Sequence, residues 1–394
     1  MGALRLLAGR YLCSRRRERF ITVIGAIAVL VVALGVAALI VVLAVMTGFD
    51  QDLQSKIIGA NAHLVIQADG PLAQPAVVIE RLAAQVPEVV AASPFAQGQA
   101  LFERGTYSTG VIVRGIDPAR EVHVTELNTF LVEGSPDPGP DGVLLGQVLA
   151  TRMGVTRGGT VQVVTPSHRT PRPLTVTGLF ASGMYDYDAN LALTRLETAQ
   201  QLLGLSQGVT GVGVRIEDPL QADRVKSQVQ RALGYPYWTL TWMDQNKNLF
   251  AALKLEKLVM FLILTLIVLV ACFNIVATLL MMVVERIRDI GILKAVGATK
   301  GFVRRVFTTV GLAIGGLGTL LGFAGGVGLC EFLRRSQLVK LPPDIYYLDH
   351  LPVQIIWGDV ALVVAAAFVI SWLACLYPAA VAARFHPVDA LRYE

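Results

Sequence analysis

Four stretches of this chain contain no Asp, Glu, Lys or Arg: residues 20–49, 258–284, 306–330 and 360–383. A bilayer core about 30 Å thick takes about 20 helical residues to cross, and each stretch is long enough. Buried helices of large soluble proteins are usually shorter and keep charges on a solvent face. The pattern therefore predicts four membrane spans. Composition agrees, since 54% of the residues are hydrophobic and only 16% charged, more apolar material than a water-soluble fold can hide. The first stretch is about twice as long as the apolar region of a cleaved signal, and no clear small-x-small site ends it before Gly48 and Phe49. It reads as a retained signal anchor.

The formal charge of +5 sits in short clusters beside the apolar stretches, which argues against a nucleic-acid-binding domain and for membrane topology. Arg15, Arg16, Arg17 and Arg19 precede the first stretch; Arg286, Arg288, Lys294, Lys300, Arg304 and Arg305 lie between the second and third. By the positive-inside rule both regions face the cytoplasm, and the tail with Arg384 and Arg392 follows them. Arg334, Arg335 and Lys340 fall in the short outer loop and dilute the pattern without reversing it. Cys272, Cys330 and Cys375 lie in apolar stretches and Cys13 in the basic leader, so residues 50–257 have no disulfide framework and must fold on their own core.

The expected architecture is an α-helical membrane protein with four transmembrane helices and an inserted α+β periplasmic domain. Its parts are a cytoplasmic leader (1–19), a first span (20–49), the outer domain (50–257), a second span (258–284), and a cytoplasmic segment (285–305). A third span (306–330), an outer loop (331–359), a fourth span (360–383) and a cytoplasmic tail (384–394) complete it. In the outer domain, β-type runs bounded by Gly, Pro and Asp predict strands at 62–67, 110–115, 160–165, 174–180 and 211–216. Helical spacing predicts helices at 75–85, 195–203 and 220–233. The Pro-, Gly- and Asp-rich stretch 133–142 reads as a loop or subdomain boundary. Residues 244–257 have helical composition, so the second span is expected to begin before its apolar run.

No phosphate-binding G-x-x-x-x-G-K-[ST] loop and no H-E-x-x-H pair is present, so this chain is not expected to hydrolyse ATP itself. Gly204-Leu205-Ser206-Gln207-Gly208 fits G-x-S-x-G, with His63, His123 and His168 in the same domain. It follows a predicted helix, whereas a nucleophile elbow sits between strand and helix, and so favours a helix-ending turn over a serine nucleophile. Gly311, Gly315, Gly318, Gly322 and Gly326 repeat at spacings of three and four along the third span. Such a flat face serves packing inside one bundle or between subunits. Between the second and third spans, Ile287, Ile290, Leu293 and Val296 recur every three residues, with Ile292 beside them and Arg288, Asp289 and Lys294 polar. A short amphipathic helix of this kind rests either on the membrane surface or in a groove on a soluble partner.

Four stretches together resemble the ABC permeases of the FtsX and MacB type, and more closely the Lol-type lipoprotein-releasing permeases. They are the leader with Arg10-Tyr11-Leu12 and Arg15 to Arg17; Val45-Met46-Thr47-Gly48-Phe49; Glu285-Arg286 through Gly297-Ala298-Thr299; and Tyr377-Pro378-Ala379-Ala380 with Pro387 to Glu394. Each is short, and their order along nearly the whole chain makes the resemblance specific. It implies a non-catalytic permease of the bacterial inner membrane, multi-pass with both termini cytoplasmic. It also implies that residues 285–298 dock on a separate cytoplasmic ABC ATPase, through Glu285, Arg286, Ile287, Ile290, Leu293, Lys294, Val296 and Gly297. ATP and Mg would be bound by that partner, with no cofactor in this chain.

The same resemblance implies a lipoprotein cargo that enters from the outer leaflet and passes to a soluble periplasmic carrier. Val42, Val45 and Met46 share a face of the first span, and Val259 and Met260 match the corresponding region of the second; acyl contact and plain helix packing both suit them. The loop with Pro166, His168, Arg169, Pro171, Arg172 and Pro173 lies where carrier-recruiting members have a projecting hook, and it is shorter than such a hook. It reads as that contact or as a plain hairpin loop. A second permease copy or paralogue, membrane lipids and no nucleic acid complete the expected partners. A MacB-like exporter of another amphiphile and an FtsX-like regulator of cell-wall hydrolases are the alternatives. The size of the outer domain and the ending favour transport.

Overall fold

The computed structural model describes residues 19–205, 208–336 and 351–385. The leader motif, Ser206 with Gln207, residues 337–350 of the outer loop and the ending from residue 386 lie outside the described residues. Two compact units result, one formed by residues up to 50, 253–336 and 351–385, the other by 51–252.

Among the described residues, the first unit contains four helices long and apolar enough to cross a membrane. The first belongs to Arg19–Ala60, the second to Lys247–Glu285, the third to Lys300–Ser336 and the fourth to Trp357–Arg384. Each continues beyond its charge-free run, because helix formation does not stop where lipid does. The early start of the second matches the composition of 244–257. A short helix, Ile287–Ala295, joins the second to the third.

Packing in this unit runs through the third helix. A methyl group at Gly315 would lie 2.4 Å from Ser371 Cβ of the fourth helix, and one at Gly322 would lie 2.6 Å from Ala33 O of the first. Gly311 faces Cys375, while Gly318 and Gly326 face Val32 and Ala37. The glycine stripe therefore closes this bundle, with the upper glycines on one neighbour and the lower ones on another. Gly325 and Gly328 meet nothing within 4 Å. Near the end of the first helix's apolar run, the extended residues 351–356 lie along it: Gln354 N donates to Ala44 O at 2.9 Å. A methyl at Gly48 would lie 2.5 Å from Pro352 O, which gives the glycine of Val45-Met46-Thr47-Gly48-Phe49 its structural reason.

The second unit makes the protein mixed rather than simply α-helical. Ten strands form one sheet: β1 (Leu64–Ala68), β2 (Val89–Arg104), β3 (Tyr107–Ile116), β4 (Leu131–Glu133), β5 (Gly142–Gly146), β6 (Thr160–Val164), β7 (Arg172–Phe180), β8 (Leu191–Arg195), β9 (Gly211–Ile216) and β10 (Tyr237–Thr241). Their order is β10-β1-β9-β2-β3-β8-β5-β7-β4, with β6 pairing β2 and β7. Strand β2 joins two halves. Its start pairs with β9 and its end with β3 and β6.

Each half has its own core. In one, Ala222, Val225, Val229 and Leu233 line the buried face of helix Ala222–Leu233 at helical spacing and pack with β1 and β9. Each large aliphatic side chain buried there contributes about 1.5–3 kcal/mol. In the other, Phe102, Val113, Val163 and Val176 pack with Leu149 and Ala199 of helices Gln147–Met153 and Leu196–Leu203. The expected strands and helices of this domain are present, and the segment 133–142 links β4 to β5 as a loop.

Candidate functional site

The cytoplasmic segment acquires two unlike faces. Ile290 is 1% exposed and packs with Val283, Val303, Phe307, Ala379 and Ala382, so it joins the second, third and fourth helices. Gly291 is buried beside it. One turn on, Lys294 Nζ donates to Ala383 O at 2.8 Å and to Phe385 O at 2.6 Å, placing a cation on the carbonyl end of the fourth helix. Burial, with the like charge of Lys300 second, pushes this ammonium below the usual lysine range. Glu285, Arg288, Ile292, Ala295 and Val296 are exposed, Val296 at 84%. Ile287 and Leu293 are half-buried between the two faces.

This geometry corrects the grouping of Ile287, Ile290, Leu293 and Val296 as one face. At about 100° per residue, a step of three falls about 60° short of a full turn, so Val296 lies about 180° round from Ile287. The free apolar stripe is Ile292 and Val296, flanked by Arg288. The helix is also shorter than the expected 285–298. Its start is braced by Arg286 Nη1 on Asp289 Oδ2 at 3.0 Å. Its end is set by Gly297, whose φ of 103° admits the left-handed turn in which Ala298 N donates to Leu293 O and Gly297 N to Lys294 O. Gly297 is thus a helix stop.

Among the expected acyl-contact residues, Val45 packs against the bundle core. Val42, Met46 and Met260 are half-buried, and Val259 is exposed. The first helix carries a second apolar stripe that sequence spacing did not single out: Val23, Ile27, Leu30 and Leu34, all exposed. Asp50 Oδ2 and Lys257 Nζ pair at 2.9 Å and tie the first helix to the second.

In the outer domain, the loop between β6 and β7 is a hairpin connection held onto helix Leu196–Leu203. Ser167 Oγ donates to Leu203 O at 3.0 Å, and Thr165 Oγ1 accepts from His168 N at 3.0 Å. Arg172 donates to Gln201 Oε1 and Asp141 Oδ1, both at 2.8 Å, and so anchors the loop's base. Pro166, His168, Arg169, Pro171 and Pro173 are exposed. His168 and Arg169 are the loop's exposed imidazole and guanidinium side chains. Gly204 is left-handed at φ 69° and, with Leu205, forms the helix-ending turn expected there. Ser206 itself lies outside the described residues.

The chain matches the MacB-like periplasmic core domain over residues 26–232 and the FtsX-like permease C-terminal region over residues 261–387. It is 37% identical to the lipoprotein-releasing system transmembrane protein LolC of Xylella fastidiosa, over 98% of this chain and 97% of that one. It is 33% identical to LolC of Neisseria meningitidis and 29% identical to LolE of Haemophilus influenzae, each over 98% of both chains. The chain belongs to the LolC/LolE family. This LolC/LolE-type chain is accordingly a multi-pass membrane protein whose inserted region is a periplasmic core domain.

One polar pair of the LolC/LolE-type chain escaped the sequence reading. Arg114 of β3 and Glu121 of helix Pro118–Val124 meet at 3.4 Å with side chains 12% and 4% exposed, and Arg114 lies 4.3 Å over the Phe95 ring. Its signal was a single arginine inside an otherwise apolar strand, Val111-Ile112-Val113-Arg114-Gly115-Ile116. A charge in that setting needs a partner.

Proposed function

We propose that this chain is the permease subunit of an ABC transporter that extracts lipoproteins from the inner membrane and hands them to a periplasmic carrier. The observation that carries the reading is near-complete coverage at 37% identity with a lipoprotein-releasing transmembrane protein. Energy comes from a separate cytoplasmic ATPase that binds ATP and Mg, and both termini of this chain face that side. A second permease chain completes the assembly, and the exposed second helix supplies surface for it or for lipid. Depleting the chain in its own cell is expected to leave lipoproteins in the inner-membrane fraction. Unchanged sorting after depletion would contradict the proposal.

In this mechanism the exposed stripe of Arg288, Ile292 and Val296 seats in the ATPase, while Ile290 and Lys294 carry the displacement into the third and fourth helices. Val296→Asp, changing a side chain with no packing role in this chain, should abolish copurification with the ATPase while the permease stays folded. Pro166, His168, Arg169, Pro171 and Pro173 form the exposed part of the carrier contact, on a base held by Arg172. Val42, Val45, Met46, Val259 and Met260 border the acyl chains, with Val45 also serving the bundle.

A further inference from the structure

One face of the β2–β3 ladder is packed into a core, and the opposite face is open. Ala100, Phe102, Val111 and Val113 point inward. Gln97 pairs with Arg114, Gln99 with Ile112 and Leu101 with Gly110 on the other side. Cavities of about 290, 250 and 670 Å³ adjoin along this face. Ile112 lines all three, Gln97 and Gln245 line the first two, Gln99 the second and third, and Asn190 the first and third. They make one groove across the strands.

The lining is of an unusual kind. It presents carboxamides over an apolar floor of Ile112 and Leu101, each 38% exposed, and its charged members are Arg114, bordering the first two cavities, with Glu121 and Asp186 in the first. The side-chain amides of Gln97, Gln99 and Asn190 make no hydrogen bond among the described residues. At the deep end, Glu121 is buried with Oε2 lacking a hydrogen-bond partner, and Arg114 Nε beside it also lacks one. An acceptor and a donor are therefore held side by side where water is scarce. The far end is bordered by Thr165 and Pro166, the base of the exposed loop that carries His168 and Arg169.

A carboxamide donates and accepts at once, as does every peptide group, and it carries no net charge. A row of them reads main chain without reading sequence. From this we infer that the groove binds an extended, unfolded polypeptide segment through its backbone, and that the occupant is the segment of the cargo lipoprotein next to its lipid anchor. The inference rests on the lipoprotein-releasing reading for the identity of the cargo. The groove itself is independent of that reading. Its course would lead the segment towards the loop proposed to meet the carrier.

The test uses the full chain with its ATPase in lipid nanodiscs and a fluorescein-labelled, acyl-free peptide of mixed Ser, Gly, Ala and Asn sequence, followed by anisotropy. Saturable binding is expected, equal for the peptide and a scrambled version. It should fall about ten-fold in Ile112→Arg, which fills the groove from an exposed position, and about three-fold in Gln99→Ala, as expected for losing one hydrogen bond. An unchanged melting temperature for both variants separates groove loss from unfolding. Absence of binding, a strong preference for one sequence order, or binding unaltered in both variants would overturn the inference. ATP-driven transfer of an acylated lipoprotein by the same preparation is scored separately. Transfer without peptide binding rejects the groove alone, whereas peptide binding without transfer rejects the lipoprotein-releasing reading and removes the assignment of the occupant.

Discussion

The second and third long helices are nearly equal in length, at 39 and 37 residues, and opposite in use. Only 6% of the second helix's most apolar stretch is buried in the chain, against 50% of the third's. The second presents Phe261, Leu262, Leu266 and Phe273 outward, whereas the third turns its glycines onto the first and fourth helices. In a bilayer, lipid is as apolar as leucine, so hydrophobicity does not bring helices together; close approach of backbones does. The more hydrophobic helix is accordingly the peripheral one, and the less hydrophobic one organises the bundle. Peripheral placement also leaves the second helix free to meet cargo, lipid or another permease.

The largest expected effect breaks the third helix's role. Gly322→Val would drive a side chain into Ala33 and Val36 and should destabilise the purified chain by about 3 kcal/mol, read as a shift in SDS-induced unfolding. Gly325→Val, three residues away and facing open space, should stay within about 0.5 kcal/mol. Equal effects at the two positions would remove the glycine argument. Next comes Lys294→Met, which strips two carbonyls of the fourth helix of a charged donor and should cost about 1.5–3 kcal/mol in the same titration. Its more telling readout is coupling: ATPase copurification should survive while ATP-driven release falls, with Lys294→Arg recovering part of it. Smallest is Phe261→Ala on the second helix, expected within about 0.5 kcal/mol for the isolated chain because the ring is exposed. A large loss there would show that the stretch around Phe261, and not just the buried end with Val283, packs within its own chain.

The four spans were legible because charge is excluded from lipid, a constraint that leaves a mark on every residue of a span. Their ends were less legible, since Arg19–Ala60 and Lys247–Glu285 remain helical through polar residues that lipid does not select. Strand β2 went unread because Val89 to Arg104 contains Pro94, Gly98 and three glutamine or glutamate residues, and little β-branched sequence beyond Val89 and Val90. Its conformation is imposed by pairing with β9, β3 and β6, which local sequence does not encode. The joining helix was legible as amphipathic, but a period of three misassigned its faces, and Ile290 and Lys294 turned inward. For Arg172 the composition of the loop was visible and its partners Gln201 and Asp141, distant in sequence, were not. Side-chain partners set by tertiary pairing stayed hidden for the same reason as β2.

The most direct measurement is release of an acylated lipoprotein from proteoliposomes containing this chain, a second permease chain, the ATPase and a soluble carrier. The account predicts transfer to the carrier that requires ATP and disappears with Val296→Asp. ATP hydrolysis that proceeds at full rate in the intact assembly with no lipoprotein reaching the carrier would contradict it.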